Sequence, residues 1–69
     1  MNFDRSKLIG RIAEKFGTRK ALAEQIGWTE SRLSLRLTNT VQFNEEEIRT
    51  LVIALDIPAE EISAYFFAL

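Results

Sequence analysis

The stretch TRKALAEQIGWTESRLSLRL, residues 18–37, limits the choice of fold more than any other part of the chain. Two short amphipathic segments meet in it. The first closes on Ile26, the second opens at Thr29, and only Gly27 and Trp28 stand between them. Thr18 and Thr29 are capping residues placed directly before the two segments, and Gly27 takes positive φ at no steric cost after the first. A joint this short fixes the angle at which the second helix leaves the first, which is the layout of a helix-turn-helix. The spacing turns Leu22, Ala23 and Ile26 inward on the first helix, with Ala23 the small residue where crossing helices come closest. On the second, Leu33 and Leu37 face inward with Trp28. Glu30, Ser31, Ser34 and Leu35 are left on the outer side, flanked by Arg32 and Arg36.

The segments on either side read as support for that probe. Leu8, Ile9, Ile12 and Phe16 make one stripe of a helix that begins at Asp4 or Arg5 and stops at Gly17, with Arg5, Arg11 and Lys15 away from its centre. Asp4 is its expected N-cap, Phe3 is placed to pack on its first turn, and Gly10 marks a close helix contact. After residue 37 comes a linker, TNTVQF, whose Val41 and Phe43 are expected to pin it to the core. Asn44 and Glu47 are spaced as a capping box for a fourth helix, and the acidic run Glu45, Glu46, Glu47 suits the positive end of that helix better than it suits a metal. Ile48, Leu51, Val52 and Leu55 form its apolar stripe, and Asp56, Ile57 and Pro58 end it.

The last twelve residues, PAEEISAYFFAL, place Ile62, Tyr65, Phe66 and Leu69 on one side and Phe67 on another. This is more aromatic surface than a terminal helix needs to cover a small core. It points to residues 58–69 as a dimerisation tail, the alternative being that all of it packs within one monomer.

Length and composition set the outer limits. A chain of 69 residues holds one domain with a marginal core, and with no cysteine and no histidine it has neither disulfides nor the usual zinc frameworks to staple it. No apolar run approaches the roughly 18 residues that span a bilayer, and MNFDRSKLIG lacks the apolar centre of a signal peptide, so the expected location is the cytosol. Without His or Cys, and with its carboxylates accounted for by caps and solvated faces, the chain gives no support for an enzyme, a cofactor, a metal or a small-molecule substrate. The net charge of −1 conceals a division: residues 1–37 carry eight basic against four acidic side chains, and residues 38–69 carry one against six. Such a chain can turn a basic half toward a polyanion, although helix faces that differ by chance give the same tally.

A protruding helix fits the major groove of B-DNA, and the outward residues of its N-terminal part reach base edges. Here these are Glu30, Ser31, Ser34 and Leu35. Glu can accept from cytosine N4, Ser can pair with several edges, and Leu can meet a thymine methyl. Arg32 and Arg36 are placed for guanine or phosphate, with the Thr29 cap beside them. Thr18, Arg19 and Lys20, at the start of the preceding helix, combine free N–H groups with two cations as a phosphate site.

Residues 18–37 resemble the helix-turn-helix of the lambda-repressor-like superfamily, small phage Cro and repressor proteins in particular. Ala23, Gly27 and Leu33 stand at the family's three hallmark positions, and FDRSKLIGRIAEKFGT, VQFNEEEI and LDIPAEEISAYFF look like its flanks. The resemblance implies an all-α, compact bundle of about five short helices. It further implies a phage or prophage transcriptional repressor that acts in the bacterial cytoplasm or nucleoid and binds a pseudo-palindromic double-stranded DNA operator as a homodimer, formed off or only on DNA. Carried over, Arg19 would contact a phosphate or outer base, Glu30, Ser31 and Leu35 would read bases, and Asn39, Thr40 and Gln42 would touch the backbone of the second strand. The surplus apolar surface of the tail, Ile62, Tyr65, Phe66, Phe67 and Leu69, is the expected interface of such a dimer. The chain departs from this pattern after the third helix: Thr38-Asn39-Thr40 replaces the common Asn-Gly-Lys, Gln42 stands where Pro is common, and Leu35 where a polar or basic residue is common. Each lost cation removes about one released counterion, so operator affinity is expected to be weak. The competing reading is a protein-interaction module, an antirepressor or adaptor, that uses Leu35 and the aromatic tail.

Overall fold

Thr18 and Thr29 start two helices in the same way. Each has extended backbone, and each hydroxyl oxygen accepts the N–H three residues on, from Ala21 and Arg32, at 3.1 Å in both cases. The structure, a computed structural model, describes residues 2–69. Five α-helices follow in order: α1 (Ser6–Phe16), α2 (Arg19–Ile26), α3 (Glu30–Leu37), α4 (Glu45–Ala54) and α5 (Ile62–Phe66), the last entered through a 3-10 turn (Ala59–Glu61). The described residues contain no strand. Gly27 closes α2 in the left-handed region at φ 75°, and the Trp28 N–H reaches back to the Ala23 carbonyl at 2.8 Å. Asn44 and Glu47 form the expected capping box at the start of α4.

One apolar cluster holds the bundle together. It joins Leu8 and Ile12 of α1, Leu22 and Ala23 of α2, Leu33 and Leu37 of α3, Leu51 of α4, and Leu55, Ile57, Tyr65 and Phe66 that follow. Trp28, Phe43, Ile48 and Val52 pack around it, half-buried. The radius of gyration, 10.9 Å, matches the value of about 11 Å for a compact chain of this length, so the C-terminal segment folds back on the bundle. No helix among the described residues is long and apolar enough to cross a membrane.

Several expectations are corrected. The first helix begins at Ser6, and Asp4 lies outside it, where its carboxylate accepts from the Ser6 N–H and hydroxyl. Those two bonds, the hydroxyl foremost, lower the Asp4 pKa. Phe3 packs edge-on against Phe67 at 5.8 Å, because the Asp4 N–H pairs with the Ala68 carbonyl and draws the N-terminal segment along the C-terminal one. Gly10 meets nothing: a methyl group added there would point into open space, so it marks no helix contact. Val41 is exposed, and of the two apolar linker residues only Phe43 packs on the core, through an edge-on contact with Phe66.

Arg5 is not on the outer side of α1: it is 5% exposed, and its guanidinium donates to the Phe66 carbonyl and the Gln42 side chain. Tyr65 and Phe66, expected at a subunit interface, are core residues, because the turn at Pro58 lays α5 across α1 and closes the apolar cluster from below. Ile62 packs against the same cluster. Of the five tail residues, Phe67 and Leu69 remain exposed.

Candidate recognition surface on the third helix

The outer face of α3 follows from its inner one. Leu33 and Leu37 are buried four residues apart, which turns Glu30, Ser31 and Leu35 to solvent and leaves Ser34 half-buried at the edge. Leu35 is 38% exposed and has an apolar neighbour: the main-chain carbonyl of Leu35 accepts from both Thr40 and Val41, at 3.0 and 3.1 Å, so the turn after α3 curls back and sets the exposed Val41 beside the end of the helix. Asn39 makes this possible by adopting φ 63°, the left-handed conformation that glycine would otherwise supply. The Thr38 hydroxyl donates to the Ser34 carbonyl and meets the Thr40 hydroxyl at 2.9 Å.

The linker side chains are engaged within the molecule. Asn39 donates from Nδ2 to the Phe3 carbonyl at 2.8 Å, and Gln42 accepts from Arg5 through Oε1 at 3.2 Å. Asn39 is half-buried, and Thr40 and Gln42 are exposed. Neither inward partnership was legible from spacing, since both partners lie near the N-terminus.

On the flank of α3 both arginines are held by one carboxylate. Glu47, 2% exposed, accepts at Oε2 from Arg32 Nη2 at 2.9 Å and Arg36 Nη2 at 3.0 Å, and at Oε1 from Arg36 Nε at 3.2 Å and the Asn44 N–H at 3.0 Å. Arg32 also lies over the Trp28 ring, 4.1 Å from its centroid, a cation–π contact that fixes the stem of the side chain. Burial pushes the Glu47 pKa up. The hydrogen bonds from Arg36, the Asn44 backbone and Arg32, together with the Arg36 charge, outweigh it and leave the carboxyl below its ordinary range. The sequence showed Glu47 only as a cap. Its spacing from the two arginines, 15 and 11 residues, carries no periodic signal that would have revealed the cluster.

Elsewhere, Thr18, Arg19 and Lys20 are all exposed at the start of α2. Its first-turn N–H groups lack partners within the helix, apart from that of Ala21, which Thr18 satisfies. The two cations therefore stand exposed at the amino end of α2.

A family model described as Protein of unknown function (DUF739) matches residues 1–68. The chain belongs to this family. Among solved structures it is similar to the solution structure of the modulator of repression (MOR) of the temperate bacteriophage TP901-1 from Lactococcus lactis, with 37% sequence identity and a TM-score of 0.84, over 97% of this chain and 90% of that one. The likeness therefore extends through α5 and is not confined to residues 18–37. A comparison with curated proteins returned no match.

Proposed function

We propose that this chain is a regulator of phage repression, built on a lambda-repressor-like helix-turn-helix, that acts by docking the outer face of α3 on a protein. The observation that carries this reading is the composition of that face. Glu30, Ser31 and Leu35 are exposed on it, with Val41 exposed in the turn after it, and the start of α4, tied to α3 through Glu47, carries the exposed Glu45, paired with Arg49 at 3.7 Å, and Glu46. Phosphates repel such a surface, whereas a protein partner gains by covering its two aliphatic side chains and by matching its carboxylates with cations. The similarity to a phage modulator of repression supports the same reading, and a repressor is the partner such a role calls for.

The test is an operator-controlled reporter together with the repressor of the phage or prophage that encodes this chain. Co-expression of the chain is expected to change repression, and Leu35→Asp or Glu30→Lys is expected to abolish the effect while leaving the fold intact. A reporter indifferent to the chain, or an effect that survives both substitutions, overturns the reading.

A second reading, a Cro-type repressor that binds a double-stranded operator as a homodimer, is favoured by one observation: Arg19 and Lys20 are exposed at the amino end of α2. In that reading they and Thr18 hold a phosphate, while Glu30, Ser31, Ser34 and Leu35 face base edges. Fluorescence anisotropy with duplex DNA over a range of salt concentrations separates the two, since operator binding declines steeply with salt.

A further inference from the structure

A capping box needs one glutamate oxygen for one backbone N–H, and Oε1 of Glu47 meets that need at Asn44. The rest of the carboxylate is occupied by α3. Arg32 donates to Oε2 from both Nε and Nη2, and Arg36 donates to Oε1 and Oε2 from Nε and Nη2. These are the only two cations on α3. They stand on the flanks of its outer face, the positions from which long basic side chains reach phosphates when such a helix enters a groove.

We infer that Glu47 determines which class of partner α3 accepts, by holding Arg32 and Arg36 on an internal carboxylate and so withdrawing them from polyanions. The inference rests on reading the outer face of α3 as a protein-docking surface, and it names the residue that excludes DNA from it. Two features make the hold effective. Glu47 is 2% exposed beneath the two arginines, and drawing both guanidinium groups out strips its carboxylate of four charge-assisted hydrogen bonds at once. Arg36 also spans the carboxylate, Nε to Oε1 and Nη2 to Oε2, while Arg32 sets both Nε and Nη2 on Oε2, and a phosphate must break these bonds before it forms its own. Glu47 acts in this respect as an intramolecular competitor of phosphate.

The experiment measures binding of a random-sequence duplex by fluorescence anisotropy between low and moderate salt, with circular dichroism and thermal melting to verify the fold of each variant. Glu47→Gln keeps the side-chain shape and removes the charge. It is expected to bind the duplex roughly tenfold more tightly than wild type at about 0.1 M salt, with a salt dependence steeper by about 0.9 for each arginine that now reaches a phosphate. Adding Arg32→Gln and Arg36→Gln to that variant is expected to return affinity and slope to the wild-type values. A folded Glu47→Gln protein with wild-type affinity and slope overturns the inference.

Where Glu47→Gln fails to fold, Arg32→Gln in the otherwise native chain decides. Duplex binding within twofold of wild type means that Arg32 is withheld, as inferred. A several-fold loss, with the slope reduced by about 0.9, means that it already contacts phosphate and that Glu47 withholds nothing. These outcomes concern DNA alone, so they stand apart from the reporter test, which can fail or succeed independently.

Discussion

The guanidinium of Arg5 donates through Nη1 to the main-chain carbonyl of Phe66 at 2.8 Å, joining two residues 61 positions apart. The same group donates to Gln42 at 3.2 Å and lies over the rings of Phe3 and Phe43, at 5.3 and 4.9 Å from their centroids. One side chain thus ties the N-terminal segment, the turn after α3 and the C-terminal helix into a single unit. Burial pushes the Arg5 pKa down from its ordinary value, and no carboxylate among the described residues forms a salt bridge with it. Carbonyl and amide oxygens and two ring faces take the place of a counter-ion.

Replacing Arg5 therefore costs more than a surface charge would. Arg5→Met keeps much of the stem but abandons the Phe66 and Gln42 acceptors, and is expected to destabilise the fold by about 2 kcal/mol. Arg5→Lys is expected to restore little, because one ammonium cannot reproduce a planar fork that serves two acceptors while stacking between two rings. Urea unfolding of the three proteins measures this. A lysine variant with wild-type stability would show that charge alone matters at this position.

Gly10 offers a change in the opposite direction. It lies in the middle of α1 on the solvent side, and an added Cβ meets no atom within 4 Å. Gly10→Ala is thus expected to stabilise the protein by about 1 kcal/mol, the helix-propensity difference between the two residues. A lower melting temperature for the alanine variant would point to a contact at that position, which the expected close approach required and the structure lacks.

The contrast between Gly10 and Gly27 shows what the sequence could reveal. Gly27 was legible because its role is local: a capping threonine and an apolar stripe lie on either side, and the chain must reverse there. The close contact expected at Gly10 is absent, because close approach of helices is a tertiary property that no local pattern reports. The same division runs through the candidate surface. Glu30, Ser31 and Leu35 follow from the helical period once Leu33 and Leu37 are placed inward. The capture of Arg32 and Arg36 by Glu47, and of Arg5 by Phe66 and Gln42, depends on how α3, α4 and α5 come together. The tail follows the same division, since Tyr65 and Phe66 find their partners only where α5 lies across α1.

That packing separates adjacent phenylalanines. Phe66 is 1% exposed and meets Phe43 edge-on, whereas Phe67 is 49% exposed and touches Phe3 at the rim. Phe66→Ala is expected to cost about 3–5 kcal/mol, enough to unfold a domain of this size or nearly so. Phe67→Ala is expected to cost about 1 kcal/mol, the worth of one aromatic pair at a partly exposed site. Sedimentation of the folded Phe67→Ala and Leu69→Ser proteins completes the test. Any self-association of the wild type that depends on the tail must respond to these two substitutions, because they alter the large apolar tail side chains still open to solvent.

Acid acts on the fold through Glu47. Its native pKa lies below its ordinary value, so the folded protein holds the ionised form more tightly than the unfolded chain does. The resulting stabilisation is complete above the unfolded carboxylate pKa of about 4.3 and is lost as pH falls from there through the depressed native value. Wild-type stability should thus decline across that acid window as the Arg32 and Arg36 pairs lose their anion. Glu47→Gln should be weaker by about 2 kcal/mol at pH 7, where it lacks charge-assisted bonds, and should lose less on acidification. Asp4, also lowered, contributes in the same sense in both proteins and does not blur the comparison. Urea midpoints for the two proteins at neutral pH, near 4 and near 3 are therefore expected to converge as the pH falls. Midpoints that fall in parallel would mean that other carboxylates, and not Glu47, carry the acid sensitivity of the fold.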